Sequence, residues 1–202
     1  MKRHAHVSLL ISAVIVVEGC TAHSVPAAAR NARSASSVQA SLVRDSIDKF
    51  TGAVRQSTAP AKLDGARKSL ARIDISFSRA KDTKLPDVAY CFLTMHYHWT
   101  DWMFIEDGNS LLIKADDSTF VLRETGRASL DVLADTVSER ASYTVLPADL
   151  DVLANARVVA FRLIGKKMNV ERTLSKSARE RLLAFRAAIA ADPARKCSAM
   201  PE

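Results

Sequence analysis

The sequence predicts an α+β fold, in which an antiparallel sheet of about six to eight strands carries a short helix and a C-terminal helix packed on one face. Apolar and polar residues alternate over 72–78, and the alternation continues over 88–99, which is typical of half-buried strands. Helical spacing of apolar residues is clearest after Ser175, near the C-terminus. Strands and helices are segregated along the chain rather than alternating, and this order favours an antiparallel sheet.

The N-terminal part of the predicted sheet contains three strands. The segment 38–56 fits a helix or a strand, and the alternation within it favours an edge strand over 49–56. The two strands that follow are expected to bury one face each. These faces consist of Ile73, Ile75 and Phe77, and of Cys91, Leu93, Met95, Tyr97 and Trp99.

A hairpin is predicted in the middle of the chain. The apolar runs 102–106 and 110–114 flank Asp107-Gly108, and Asp-Gly between two such runs is a strong hairpin signal. A two-residue turn at this position places Phe104 opposite Leu111. Both faces of the hairpin are apolar, so we expect another layer to cover it.

The remaining elements are short and follow one another closely. Pro147 suits the first position of a helix, and Ser175 can cap another. The predicted order is a strand over 119–123, a connection over 126–138 with a helical turn at 130–134, a strand over 140–146, the helix from Pro147, strands over 157–164 and 168–173, and a helix that ends before Pro193.

The first residues have the composition of an export signal. Two basic residues precede an apolar run over 7–17 that is too short to span a bilayer, and small residues follow, which predicts a signal peptide over 1–19. The segment 20–37 is rich in Ala, Ser and Arg without an apolar period, and predicts a flexible tether. The rest of the 202-residue chain, 38–202, is long enough for one well-buried domain.

The sequence Val17-Glu18-Gly19-Cys20 resembles the lipobox of bacterial lipoproteins, which has an apolar residue three places before the cysteine and a small residue just before it. Glu18 departs from that pattern. The resemblance implies cleavage before Cys20, diacylglycerol on its sulfur, and attachment to a membrane of the cell envelope facing the periplasm. Thr21 after the cysteine implies the outer membrane rather than the inner one. The alternative is ordinary secretion with a free Cys20.

The cysteines and histidines are the candidates for site chemistry. If Cys20 carries lipid, Cys91 and Cys197 remain, and an even number in an oxidising compartment favours a disulfide between them. The competing interpretation is two free thiols, one of them buried.

His96 and His98 are two apart on a predicted strand, so they project from one face and could present two imidazoles to zinc or copper. The alternative is two histidines on the polar face of a sheet.

Catalytic signatures are missing from the sequence. We find no Gly-x-Ser-x-Gly, no His-Glu-x-x-His, no Gly-rich phosphate loop and no zinc-finger cysteine spacing, so we expect no cofactor.

Two hypotheses about the function of the protein remain open. The first is a non-catalytic envelope lipoprotein that binds a protein or envelope component. The second is a metal-dependent or hydrolytic enzyme centred on His96 and His98.

Positive charge is concentrated near the C-terminus. Between Arg157 and Lys196 there are eleven basic and three acidic residues, whereas the rest of the chain is close to neutral. On a membrane-tethered protein, such a basic face can engage anionic lipid or an acidic envelope protein. The alternative is a solvated helix surface. Nucleic acid is excluded as a partner if the signal directs export, because the compartment would be wrong.

Overall fold

A computed structural model describes residues 42–65, 71–81, 88–192 and 197–198. The predicted signal peptide 1–19, the lipidation site Cys20 and the tether 20–37 lie outside the described residues. The described residues form antiparallel strands and two helices, so the α+β class is confirmed in its broad form.

The strands divide into two sheets instead of the one that the sequence predicted. Their bounds are β1 (Val43–Ile47), β2 (Val54–Thr58), β3 (Ala61–Lys62), β4 (Arg72–Lys81), β5 (Ala89–Trp99), β6 (Leu111–Ala115), β7 (Ser118–Leu122), β8 (Ser129–Leu133), β9 (Thr136–Thr144), β10 (Val159–Ile164) and β11 (Asn169–Thr173). The larger sheet has the order β1-β2-β4-β5-β9-β8, with β3 also paired to β4, and the smaller sheet has the order β11-β10-β6-β7.

Two bridges join the sheets at their edges. Beyond the end of β3, Asp64 exchanges backbone hydrogen bonds of 2.9 and 2.8 Å with Thr173 at the end of β11. Beyond the end of β7, Glu124 forms a bridge with Tyr143 of β9. Strands β3, β4, β5, β9, β7, β6, β10 and β11 therefore form a closed ring.

The apolar core lies inside this ring. The alternation predicted for β5 is confirmed, because Cys91, Leu93, Met95 and Tyr97 are buried. Buried residues of β6 and β10 belong to the same cluster, so the core is shared by both sheets. Most of its stability comes from removing these apolar side chains from water.

The helices α1 (Pro147–Asn155) and α2 (Lys176–Ala191) begin where the sequence predicted. Asp149 accepts a hydrogen bond of 2.8 Å from the backbone N–H of Leu146 at the start of α1. Ser175 accepts one of 3.1 Å from the N–H of Ala178 and so caps α2. Helix α2 contacts β3, β4 and α1, and the rings of Phe185 and Phe77 are 6.0 Å apart.

The predicted hairpin at Asp107-Gly108 is wrong. The segment 102–106 is not a strand, and β6 pairs instead with β7 around a turn at Asp116-Asp117. The reason is a buried carboxylate: Glu139 of β9 accepts hydrogen bonds from the backbone N–H groups of three consecutive residues, Met103, Phe104 and Ile105. Those N–H groups are therefore not free to pair with β6.

Two other segments also differ from the prediction. The helical turn expected at 130–134 is wrong, since this segment is β8 and pairs with β9. The edge strand expected over 49–56 is partly wrong, because β1 and β2 enclose a turn at 49–52. Asp48 holds that turn by accepting from the N–H groups of Phe50 and Thr51 at 2.9 and 2.8 Å.

Candidate functional site

The central strands of the larger sheet have a polar face on the side opposite the core. Residues that are directly paired on neighbouring strands project to the same side. The face therefore consists of three rows across β4, β5 and β9, which we call the His96 face. The rows are Arg72, His98 and Ser138; Asp74, His96 and Arg140; and Ser76, Thr94 and Ser142.

Hydrogen bonds between strands order the side chains of the His96 face. The hydroxyl oxygen of Ser76 lies 3.0 Å from Nε2 of His96. In the same row, the hydroxyl oxygens of Thr94 and Ser142 are 2.9 Å apart. These bonds link all three strands and hold the polar groups in fixed positions.

Asp74 is held by its neighbour on β4. The Nε of Arg72 donates to both carboxylate oxygens of Asp74, at 3.0 and 2.8 Å. The side chain of Asp74 is 4% exposed and that of Arg72 is 61% exposed, so the guanidinium covers the carboxylate from the solvent side. Asp74 is thus bound by an arginine, and it opposes His96 without forming the carboxylate–imidazole hydrogen bond of a catalytic triad.

The imidazole of His96 is neutral at neutral pH. Burial, followed by the positive charge of Arg140 and the neighbouring His98, lowers its pKa from 6.5 to about 4, against the opposing effect of Asp74. A general base works best when its pKa is close to the pH of the reaction. His96 is therefore poorly suited to remove a proton, although it can accept or donate a hydrogen bond.

His96 and His98 lie on one face of β5, as their spacing predicted. Within the described part of the chain, no three His, Cys, Asp or Glu side chains come together in a way that could hold a metal ion. The two imidazoles consequently have no third ligand of these types there.

A disulfide bond joins Cys91 to Cys197, the pair that the sequence favoured, and their Cα atoms are 5.3 Å apart. Cys91 lies on the core face of β5, and Cys197 is also buried. The backbone at Cys197 runs parallel to β5, where the N–H of Ser198 donates to the carbonyl of Ala89 at 2.8 Å. The bond therefore fixes Cys197 and Ser198 against the sheet.

Several basic residues of the C-terminal region have individual structural partners. Arg179 donates to the backbone carbonyls of Ala154 and Arg157, at the C-terminal end of α1. Arg181 donates to the carbonyls of residues 59 and 60, and Arg186 forms an ion pair of 3.0 Å with Asp151. Bonds to carbonyl oxygens leave the positive charges of Arg179 and Arg181 without a neutralising carboxylate in these contacts.

Two buried glutamates were missed by the sequence analysis. Glu139 is fully buried, and Glu124 is 9% exposed. A signal for both was present in the alternation, because Glu139 is in phase with Val137 and Ala141, and Glu124 is in phase with Leu122. A carboxylate at a core-facing position calls for a specific partner.

Comparison of the chain with protein-family models, with curated proteins and with solved structures found no match. Neither of the helices in the described residues is long and apolar enough to cross a membrane.

Proposed function

We propose that this chain is a non-catalytic lipoprotein of the bacterial cell envelope whose His96 face binds another protein or an envelope component. The observation that carries the proposal is the hydrogen-bonded array across β4, β5 and β9. Its hydroxyl groups and neutral imidazole are ordered before any partner arrives, which lowers the entropy lost on binding.

The composition of the face suits a polar partner. It offers hydroxyl donors and acceptors from Ser76 and Ser142, which are partly exposed, and a positive charge from Arg140. An extended polypeptide or a glycan can satisfy such groups along the rows. The basic C-terminal region, including Arg179 and Arg181, provides a second contact with anionic lipid or an acidic protein when the domain is tethered close to a membrane.

The support for the anchor is the sequence Val17-Glu18-Gly19-Cys20 and the segment 20–37 that follows it. Together they would hold the domain in the periplasm, preferentially at the outer membrane.

We further propose that α1 and α2 cover the same face of the larger sheet, because α2 packs on β4 through Phe185 and α1 contacts α2.

A photo-crosslinking amino acid at His98 tests the binding surface in intact cells. His98 is partly exposed at the edge of the His96 face, so replacing it leaves the hydrogen bond of His96 in place. We expect one dominant adduct from position 98. The matched control is the same amino acid at Val121, which is 48% exposed on the smaller sheet. Identical adducts from both positions, or none from position 98, would contradict the proposed surface.

A second candidate function is a metal-dependent or hydrolytic enzyme. The observation that bears on its hydrolytic form is the 3.0 Å contact between Ser76 and His96. Elemental analysis of the purified protein and reaction of Ser76 with a fluorophosphonate probe test it. Stoichiometric metal that is lost in His96→Ala, or labelling that is lost in Ser76→Ala, would support the enzyme. Absence of both would leave the binding function as the better explanation.

A further inference from the structure

Three buried polar residues, Glu124, Tyr143 and Ser110, lie in or close to the turn formed by 107–110. Because Glu124 and Tyr143 are bridge partners, their side chains project to the same side, and Tyr143 is fully buried. The hydroxyl of Tyr143 lies 2.8 Å from that of Ser110, which is also buried. The N–H of Glu124 donates to the carbonyl of Gly108 at 2.7 Å. Glu124 is thereby fixed between β9 and the turn.

The carboxylate of Glu124 has no hydrogen-bond partner among the described residues. The residue is 9% exposed, and both of its carboxylate oxygens are inaccessible to solvent. Glu139 provides the contrast within the same fold, since it is fully buried and accepts three backbone N–H groups. A buried carboxylate without donors is costly, so a partner for Glu124 is needed.

We propose that Glu124 and Asp107 bind a divalent cation, with calcium as the best match to their oxygen ligands. Calcium accepts carboxylate, carbonyl, hydroxyl and water oxygens in a flexible coordination shell, and backbone turns often supply part of it. In this proposal the turn supplies the carboxylate of Asp107, and water completes the coordination shell together with any neutral oxygens of 107–110 that are in reach. Imidazole and thiolate ligands, which zinc prefers, are not part of this set.

Electrostatics around Glu124 favour a bound cation. Glu124 is buried and is repelled by the negative charge of Asp107, so its ionised form is costly without a compensating positive charge. A divalent cation between the two groups converts their repulsion into a shared attraction. With two carboxylates the site belongs with weak extracellular calcium sites, for which Kd is about 10⁻⁴–10⁻³ M.

Thermal unfolding of the full chain, purified and treated with a chelator, tests the site. At pH 8, we expect 10 mM CaCl₂ to raise Tm by about 3–10 °C, because this concentration is roughly 10 to 100 times the expected Kd. Isothermal titration with CaCl₂ should give one ion per chain. We expect terbium, with excitation of protein tyrosine, to luminesce from the same site and to be displaced by calcium.

Three variants locate the ion. We expect Glu124→Gln to abolish the calcium-dependent rise in Tm and Asp107→Asn to weaken binding at least tenfold, whereas Glu106→Gln, on a neighbouring exposed residue, should leave binding unchanged. If Glu124→Gln does not fold, Asp107→Asn decides, since Asp107 is exposed. No effect of CaCl₂ on the wild type, an equal effect of MgCl₂, or calcium binding unchanged by the Glu124 and Asp107 substitutions would overturn the proposal.

Discussion

The carboxylate of Glu139 lies directly against the backbone of Phe104, whose N–H donates to it at 2.9 Å. The same carboxylate accepts from the N–H groups of Met103 and Ile105, at 2.5 and 2.8 Å. It therefore holds Phe104 at a φ of 53°, a left-handed conformation that non-glycine residues seldom adopt. One side chain of β9 thus determines the path of the segment before β6.

We expect Glu139→Ala to lower the free energy of unfolding by roughly 3–5 kcal/mol, because it leaves three backbone N–H groups without their acceptor. Glu139→Gln, which keeps one carbonyl oxygen, should cost less. Urea unfolding followed by circular dichroism measures both. Glu106→Ala is the matched control at an exposed position. A loss no larger in Glu139→Ala than in this control would refute the role of Glu139.

Glu124 should make stability depend on pH. Its pKa is raised from 4.5 to about 7 in the folded protein, so the folded state holds a proton that the unfolded chain releases. In cation-free buffer, the free energy of unfolding is expected to fall as pH rises from about 4.5 to about 7, by up to about 3 kcal/mol. Glu124→Gln should remove this slope. The measurement is urea unfolding at half-unit pH steps, and an unchanged slope in the variant would exclude Glu124 as its source.

His96 should contribute a slope of the opposite sign. Its pKa is lowered from 6.5 to about 4 on folding, so the unfolded chain binds the proton more tightly. The stability from this group is complete above about pH 6.5 and is lost as pH falls towards 4, by up to about 3 kcal/mol. We expect His96→Gln to be less sensitive to acid than the wild type over this range. His98→Gln serves as the control on the same strand, and an equal change in both variants would argue against burial of His96 as the cause.

The disulfide between Cys91 and Cys197 should stabilise the fold. It closes a long loop, with the two residues 106 positions apart. The chain-entropy model gives roughly 4–5 kcal/mol for a loop of this size. We expect Cys197→Ser to lose this amount in urea unfolding, and reduced wild type to match it. Thiol titration of denatured, unreduced protein checks the bond itself, because free thiol at Cys91 and Cys197 would contradict it.

The lipid anchor can be tested at Cys20. We expect mass spectrometry of the membrane fraction to show an acylated cysteine at the N-terminus of the mature chain. Cys20→Ala should shift the protein from the membrane to the soluble fraction. Recovery of unmodified wild type from the soluble fraction would leave secretion with a free Cys20 as the explanation.

Regular alternation was the part of the fold that could be predicted from the sequence. The strands β4 and β5 were predicted because each buries one face along its whole length, as Phe77 and Leu93 illustrate. The start of α2 was predicted because the cap at Ser175 is a local interaction. Such features need no knowledge of distant residues.

The errors arise where a distant residue determines the local structure. The Asp107-Gly108 signal was a sound local indication, and Gly108 has a φ of 86°, yet the strand expected before it is held by Glu139. The candidate site shows the same limit. The shared face of His96 and His98 followed from their spacing, whereas the contact with Ser76 depends on the register between β4 and β5.

The closed ring has a consequence for the order of folding. Its bridge between Asp64 and Thr173 joins positions far apart in sequence, while the strands β4, β5 and β9 lie between them along the chain. Entropy opposes bringing such distant segments together until the intervening strands have paired. We therefore expect the hairpins of neighbouring strands to form early and the bridge at Thr173 to form late. A nascent chain that ends before β11 would leave the edges of β3 and β10 unpaired, and folding should become complete only after β11 has emerged from the ribosome.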